Sequence, residues 1–132
     1  MRWKRILLIV ASALTTFTGI ARAENGERWA LLIGVDDYQA LGKLKYCSAD
    51  AQALADVLIA RGGYGDDHVT VLTTNATNSK NQPTLANIRR RIVNIVKLAE
   101  SEDSILLFFS GHGITENGAG YLVPSDGDRM NA

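Results

Sequence analysis

The segment Arg28–Val35 (Arg-Trp-Ala-Leu-Leu-Ile-Gly-Val) is a short, almost wholly apolar run that stops at Asp36-Asp37. An unbroken run of that length suits a strand buried on both faces. Tyr38–Tyr46, with Gly42 inside it, reads as a loop. From about Ser48 to Arg61 the spacing becomes helical, with Ala51, Leu54, Ala55 and Leu58 on one side and Asp50 and Asp56 on the polar side. Ser48 is a candidate N-cap, and Gly62-Gly63 ends the run. Val69–Thr73 alternates and is β-branched, which predicts a second strand, and the Asn-, Ser- and Thr-rich Thr74–Gln82 a polar loop. Pro83-Thr84 opens a second helix whose stripe is Leu85, Ile88, Ile92, Ile95, Val96 and Ala99. Ser104–Ser110 is the most apolar strand. Gly111-His112-Gly113 follows it at once, then a glycine-containing turn and a short strand at Gly120–Val123.

The order β-α-β-α-β with apolar strands implies an α/β fold, a mostly parallel sheet covered by helices on both faces. In such sheets reactive groups gather beyond the carboxyl ends of the strands. Here those ends are Val35-Asp36 and Ser110-Gly111-His112.

A chain of 132 residues, 46% hydrophobic and 21% charged, has room for one domain and is too apolar for disorder. Residues 1–23 stand apart. Met1–Arg5 is cationic, Ile6–Ile20 is apolar except for Ser12, Thr15, Thr16 and Thr18, and Ala21-Arg22-Ala23 is a small-x-small pattern. This predicts a signal peptide cleaved after Ala23 and a mature chain from Glu24, exported to the periplasm or secreted, with no membrane contact thereafter. The competing reading is a retained anchor, but the uncharged stretch Ile6–Ala21 is 16 residues, short of the roughly 20 that span a bilayer core. No cysteine follows the apolar run, so a lipoprotein anchor is not expected.

The leader also distorts the charge. Of fourteen basic groups, Arg2, Lys4, Arg5 and Arg22 lie in it, leaving ten against fourteen acidic ones, a net −4. A mildly acidic body argues against nucleic acid as a partner. The consecutive Arg89, Arg90 and Arg91 fan across about 200° of a helix and read as a solvated face. Cys47 is the only cysteine, so no internal disulfide forms, and with only His68 and His112 beside it a structural zinc site is not supported. The dinucleotide, P-loop and serine-elbow motifs are all missing.

The remaining chemistry centres on His112. A histidine between two glycines, on the rim of a buried strand, can act as a base while a neighbouring backbone N–H steadies an oxyanion. A plain turn histidine is the competing reading. The wider pattern shifts the balance toward the first. Ala30-Leu-Leu-Ile-Gly-Val35, Tyr46-Cys-Ser-Ala-Asp50-Ala51, Pro83-Thr-Leu-Ala-Asn-Ile88, Asp103-Ser-Ile-Leu-Leu-Phe-Phe-Ser-Gly-His-Gly113 and Gly120-Tyr-Leu-Val-Pro-Ser-Asp126 occur in that order. The series resembles the N-terminal, large-subunit half of the caspase-like cysteine peptidases, especially metacaspases and their bacterial relatives. It covers about Trp29 to Asp126, and the strand followed by Ser-Gly-His-Gly is its specific part.

The resemblance implies the caspase-haemoglobinase fold, incomplete in this chain, and a protein or peptide substrate. His112 matches the catalytic histidine and Gly113 the glycine whose N–H helps bind the oxyanion, while Ser110 and Gly111 shape the same turn. Asp50 matches the acidic residue that lines a pocket for a substrate Arg or Lys. An aspartate in a helix's first turn also stabilises that end by about 0.3–1 kcal/mol with no substrate involved, so pocket and cap both stay open. A thiol near a helix N-terminus can be activated, yet Cys47 matches a pocket-flanking cysteine rather than the nucleophile. No cofactor is required for the chemistry. Calcium activation rests on the resemblance alone, Asp36-Asp37 and Asp66-Asp67 reading as solvated loop acids.

In caspases the histidine lies about 50 residues before the nucleophile, and only 20 residues follow His112 here. The expectation is therefore a truncated domain, Glu24–Ala132, inactive alone, whose parent is a cysteine endopeptidase cutting after Arg or Lys. The alternative is a non-catalytic pseudopeptidase or interaction module of the same fold. A hydrolase built on Ser110 and His112 has no elbow motif and sets the pair two residues apart on one turn, which disfavours it. Without a further strand beside Ser104–Ser110, the mature chain should expose an apolar edge that promotes association.

Overall fold

The structure, a computed structural model, describes residues 26–127 and the backbone of a strand at Arg5–Val10. The rest of the expected leader, the cleavage site predicted after Ala23 and the Met130-Asn131-Ala132 end lie outside the described residues. In chain order the elements are β1 (Arg5–Val10), β2 (Arg28–Gly34), α1 (Cys47–Arg61), β3 (Val69–Thr73), α2 (Leu85–Leu98), β4 (Ser104–Ser110), β5 (Gly113–Glu116) and β6 (Ala119–Leu122). The first four strands form one sheet in the order β1-β4-β2-β3, every pair parallel.

Alternation along the strands divides the core in two, as period-2 side chains must. Leu31 and Ile33 of β2 and Ile105 and Phe109 of β4 face Ile95 and Ala99 at the end of α2, with Leu72, Tyr38 and Val123. Ala30, Leu32, Leu106 and Phe108 face Ala51, Ala55 and Leu58 of α1. The two helices therefore cover opposite faces, and each central strand is buried on both, as its unbroken apolar run requires. Gly34 permits the close seat of α1. A Cβ there would lie 2.2 Å from the Cys47 carbonyl oxygen.

Three expectations need correction. Ser48 is not the cap of α1, which begins one residue earlier at Cys47; the Ser48 side chain is buried against Gly34 O and Thr74 Oγ1 at 3.4 and 3.3 Å. The α2 stripe is only partly inward: Ile95 is buried and Ile88 half-buried, whereas Leu85, Ile92 and Val96 are 38–43% exposed. The first half of α2 rests on the preceding loop through buried Asn87, whose Nδ2 donates to Ser79 O and Gln82 O at 2.8 Å each. Of the three arginines, Arg91 is half-buried and donates to Asn81 Oδ1 at 2.9 Å. In the whole chain the outer edge of β4 carries a partner, whereas the open-edge expectation concerns Glu24–Ala132 alone. Residues Arg5–Val10 pair along that edge from Arg5 opposite Ser104 to Val10 opposite Phe109.

Beyond β4, β5 and β6 make a separate antiparallel hairpin, so the short strand predicted at Gly120–Val123 starts one residue earlier and has an unpredicted partner. Asn117 and Gly118 turn it with φ of 50° and 81°. Two positive φ values match the right-handed twist of hairpin strands, and Asn-Gly supplies them at low cost.

Candidate active site

The carboxyl ends of β2 and β4 lie side by side, tied by the Val35 N–H donating to Ser110 O at 2.9 Å. Both strands release their chains there. After β4 comes His112, half-buried; after β2 comes a loop that returns over it. The loop closes on itself, with Leu44 N–H donating to Asp36 O at 2.8 Å, and is held to the far end of the chain by Gln39 N–H donating to Ser125 O at 3.1 Å.

Two groups of this loop grip His112. The Tyr38 hydroxyl oxygen accepts the His112 backbone N–H at 2.6 Å, and the two rings pack at 4.8 Å between centroids, tilted by 51°. The imidazole Nε2 lies 2.8 Å from Gly42 O. A carbonyl oxygen only accepts, so Nε2 carries the ring proton and Nδ1 is left as the basic nitrogen. Burial pushes the Tyr38 phenol up to about 12, the His112 N–H bond opposing it, so the hydroxyl is neutral at physiological pH.

The α1 start completes this edge. Asp36 accepts the Cys47 N–H through Oδ1 at 2.8 Å and the Ser48 N–H through Oδ2 at 3.0 Å. It is therefore the cap of α1, supplied from eleven residues upstream, and not a solvated loop acid. Burial alone would raise its carboxyl pKa, but the bonds from Ser48 and Cys47 outweigh burial and hold it below the usual value. Asp37 does behave as expected, pairing at the surface with Lys43 at 2.7 Å.

The Cys47 thiol is 8% exposed and hydrogen-bonded to the Ser110 hydroxyl. Burial first, then the charges of Asp36 and Asp50, raise its pKa despite the Ser110 bond. The lowering that a helix N-terminus can give is overridden, and this thiol is not set up as a nucleophile at neutral pH. Asp50 stands exposed in the first turn of α1. Because Asp36 caps the Cys47 and Ser48 N–H groups, those bonds do not account for the Asp50 carboxylate.

Gly111 is confined between Tyr38 and Phe109, where a Cβ would lie 2.5 Å from the Tyr38 hydroxyl oxygen. Gly113 is exposed and begins β5. A cleft of about 250 Å³ opens between Asp37, Tyr38, Thr74, Gln82 and Ser125. Among the described residues no group of three or more His, Cys, Asp or Glu side chains converges on a metal position, and no helix is long and apolar enough to cross a membrane.

The structure thus brings together His112, Ser110, Gly111, Gly113, Cys47 and Asp50 along one sheet edge. The other histidine is elsewhere. His68 immediately precedes β3 and stacks on Trp29 at 3.9 Å, near Asp103, at the opposite end of the strands. Residues 28–127 match the family profile described as "Metacaspase, peptidase C14 domain". The chain belongs to the metacaspase family. It is 38% identical over 107 residues to Metacaspase-1 of Eremothecium gossypii, covering 81% of this chain and 22% of that protein. It is 39% identical over 89 residues to Metacaspase-1A of Aspergillus niger, covering 67% and 22% respectively. This metacaspase chain spans about a fifth of the length of the curated relatives it matches.

Sequence reasoning missed three members of the site: Asp36, Tyr38 and the Gly42 carbonyl. The carbonyl left no signal, since every residue has one. Asp36 and Tyr38 had a weak one, a polar and an aromatic residue just past a buried strand on the reactive edge.

Proposed function

We propose that the protein is a caspase-like cysteine endopeptidase and that this chain forms its histidine-bearing half. The observation that carries the reading is His112 itself: half-buried on the sheet rim, its Nε2 engaged by Gly42 O and its Nδ1 left basic. In the reaction Nδ1 takes the proton of a cysteine thiol supplied by the rest of the protein. The thiolate sulfur attacks the scissile carbonyl carbon, and the oxyanion is met by the Gly113 backbone N–H. The imidazolium then gives its proton to the leaving amine as the C–N bond breaks, leaving a thioester that water hydrolyses with His112 again as base.

The substrate carries Arg or Lys before the cut bond. Asp50, exposed at the same edge, pairs with that cation, with Cys47 as a neutral pocket wall and Ser110 and Gly111 shaping the turn between them. The cationic, apolar and small-x-small leader sends the protein out of the cytoplasm. Replacing His112 with Ala in the full-length protein is expected to abolish cleavage of an Arg-ended reporter peptide while leaving the fold intact. Undiminished turnover by that variant would defeat the assignment.

A further inference from the structure

We infer that Tyr38 is a positioning residue for His112, fixing the backbone from which the imidazole projects and one face of the ring itself. The inference rests on the peptidase reading for its consequence in catalysis, but its geometry is independent of it. Tyr38 is 9% exposed, and its hydroxyl oxygen takes the His112 N–H at 2.6 Å. Its ring lies against the imidazole at 4.8 Å. Four residues further along the same loop, Gly42 O holds the ring at Nε2. One loop therefore holds the histidine at its main chain, at its ring face and at its ring edge.

The glycine before the histidine belongs to the same device. A Cβ on Gly111 would sit 2.5 Å from the Tyr38 hydroxyl oxygen and 2.9 Å from Phe109 ring atoms. Only a residue without a side chain lets the phenol pass beneath the turn and reach the N–H of residue 112. The first glycine of Gly-His-Gly is thus required by Tyr38. The phenol stays protonated far above neutral pH, so its oxygen accepts from the His112 N–H as a neutral group and puts no anion beside the base. Without the hydroxyl, the 112 N–H loses its acceptor, the turn loosens, and the ring is free to exchange its Nε2–H tautomer for the Nδ1–H one. Misplacement of a catalytic group by about 1 Å can cost on the order of a hundredfold in rate.

The test is Tyr38→Phe, which keeps the ring and removes only the oxygen. Nitrogen-15 NMR of the histidine ring and amide exchange are measured on the 132-residue chain, with β4 amides and the melting temperature as controls. Expected are an Nε2–H tautomer in the parent and a mixture in Y38F, with His112 amide exchange about tenfold faster and β4 unchanged. Gly111→Ala reaches the same contact from the other side and should give the same mixture, which keeps the test open should Y38F fold poorly. Unaltered His112 ring shifts and amide exchange in both variants would overturn the inference. In the full-length protein Y38F should lower kcat about tenfold with KM unchanged, a loss confined to the reacting geometry. Reorganisation of the ring together with full turnover by His112→Ala would sink the peptidase reading and leave the positioning role standing.

Discussion

Removing the Asp36 carboxylate tests the claim that a residue beyond β2 builds the start of α1. Asp36→Ala leaves the Cys47 and Ser48 N–H groups without their acceptors at 2.8 and 3.0 Å. A hydrogen bond to a charged group contributes about 1.5–3 kcal/mol, and loss of a helix N-cap costs about 0.5–2 kcal/mol. These figures describe the same two bonds, and Asp36 is partly exposed, so water replaces some of what is lost. The expected cost is about 2 kcal/mol, which for a domain of roughly a hundred residues lowers Tm by about 8–16 °C. Asp36→Asn keeps one acceptor oxygen and should fall between. The pH dependence has a definite sign. The folded pKa of Asp36 lies below its ordinary 3.8, so its stabilisation is complete above that value and is lost as pH falls through the folded pKa. Urea melts of the 132-residue chain followed by circular dichroism at pH 7, 5 and 3 should show a wild-type advantage that holds at pH 7 and 5 and shrinks at pH 3. A difference under about 0.5 kcal/mol at pH 7, within the range of ordinary surface changes, would refute the capping argument, as would a gap of equal size at pH 7 and pH 3.

Other consequences are as direct. Gly34→Ala places a methyl 2.2 Å from the Cys47 carbonyl oxygen, a backbone atom that cannot swing aside; a loss of about 1–3 kcal/mol or more should appear as a lowered urea midpoint, and a wild-type midpoint would contradict the close seat of α1. The Tyr38 phenol, pushed up to about 12 from 10.0, should give a step near pH 12 in an absorbance titration at 295 nm, and that step should vanish in Y38F. Its raised pKa also means that the stability it lends is intact below pH 10 and is lost as pH rises through about 12. Cleavage after Ala23 would remove the strand that pairs with β4 from Ser104 to Phe109; the 24–132 polypeptide should associate in analytical ultracentrifugation, and a monodisperse monomer with a sharp melt would contradict the open-edge argument.

Much of the frame was legible in the chain. Three parallel strands, two helices and the position of His112 on a sheet rim follow from runs and spacings, because burial on two faces leaves continuous apolar segments and burial on one leaves a stripe. Val69–Thr73 and Ser104–Ser110 are bounded in the structure as their composition implies. The failures share one cause. Ser48 at the head of α1 and the stripe of α2 were read from neighbours in sequence, whereas the partners they meet, Asp36 for α1 and the Ser79–Gln82 loop for the first half of α2, are contributed by other segments. The Asn117-Gly118 hairpin is the exception, since its turn signal was local and present in the chain.

The site divides in the same way. Which histidine stands on the rim of the sheet, and which glycines flank it, is written locally, because it follows directly on an unbroken apolar strand. How that histidine is held is not, because its three anchors arrive from about seventy residues away: the Tyr38 hydroxyl, the Tyr38 ring and the Gly42 oxygen. Likewise a lone cysteine at a helix start looks activated in sequence, and only the fold, by burying Cys47 between Asp36, Asp50 and Ser110, keeps its proton on. Residue order determined which groups reach the edge of the sheet. Three-dimensional packing decided their protonation and their aim, because both depend on what lies within a few ångströms and not on what lies next in the chain.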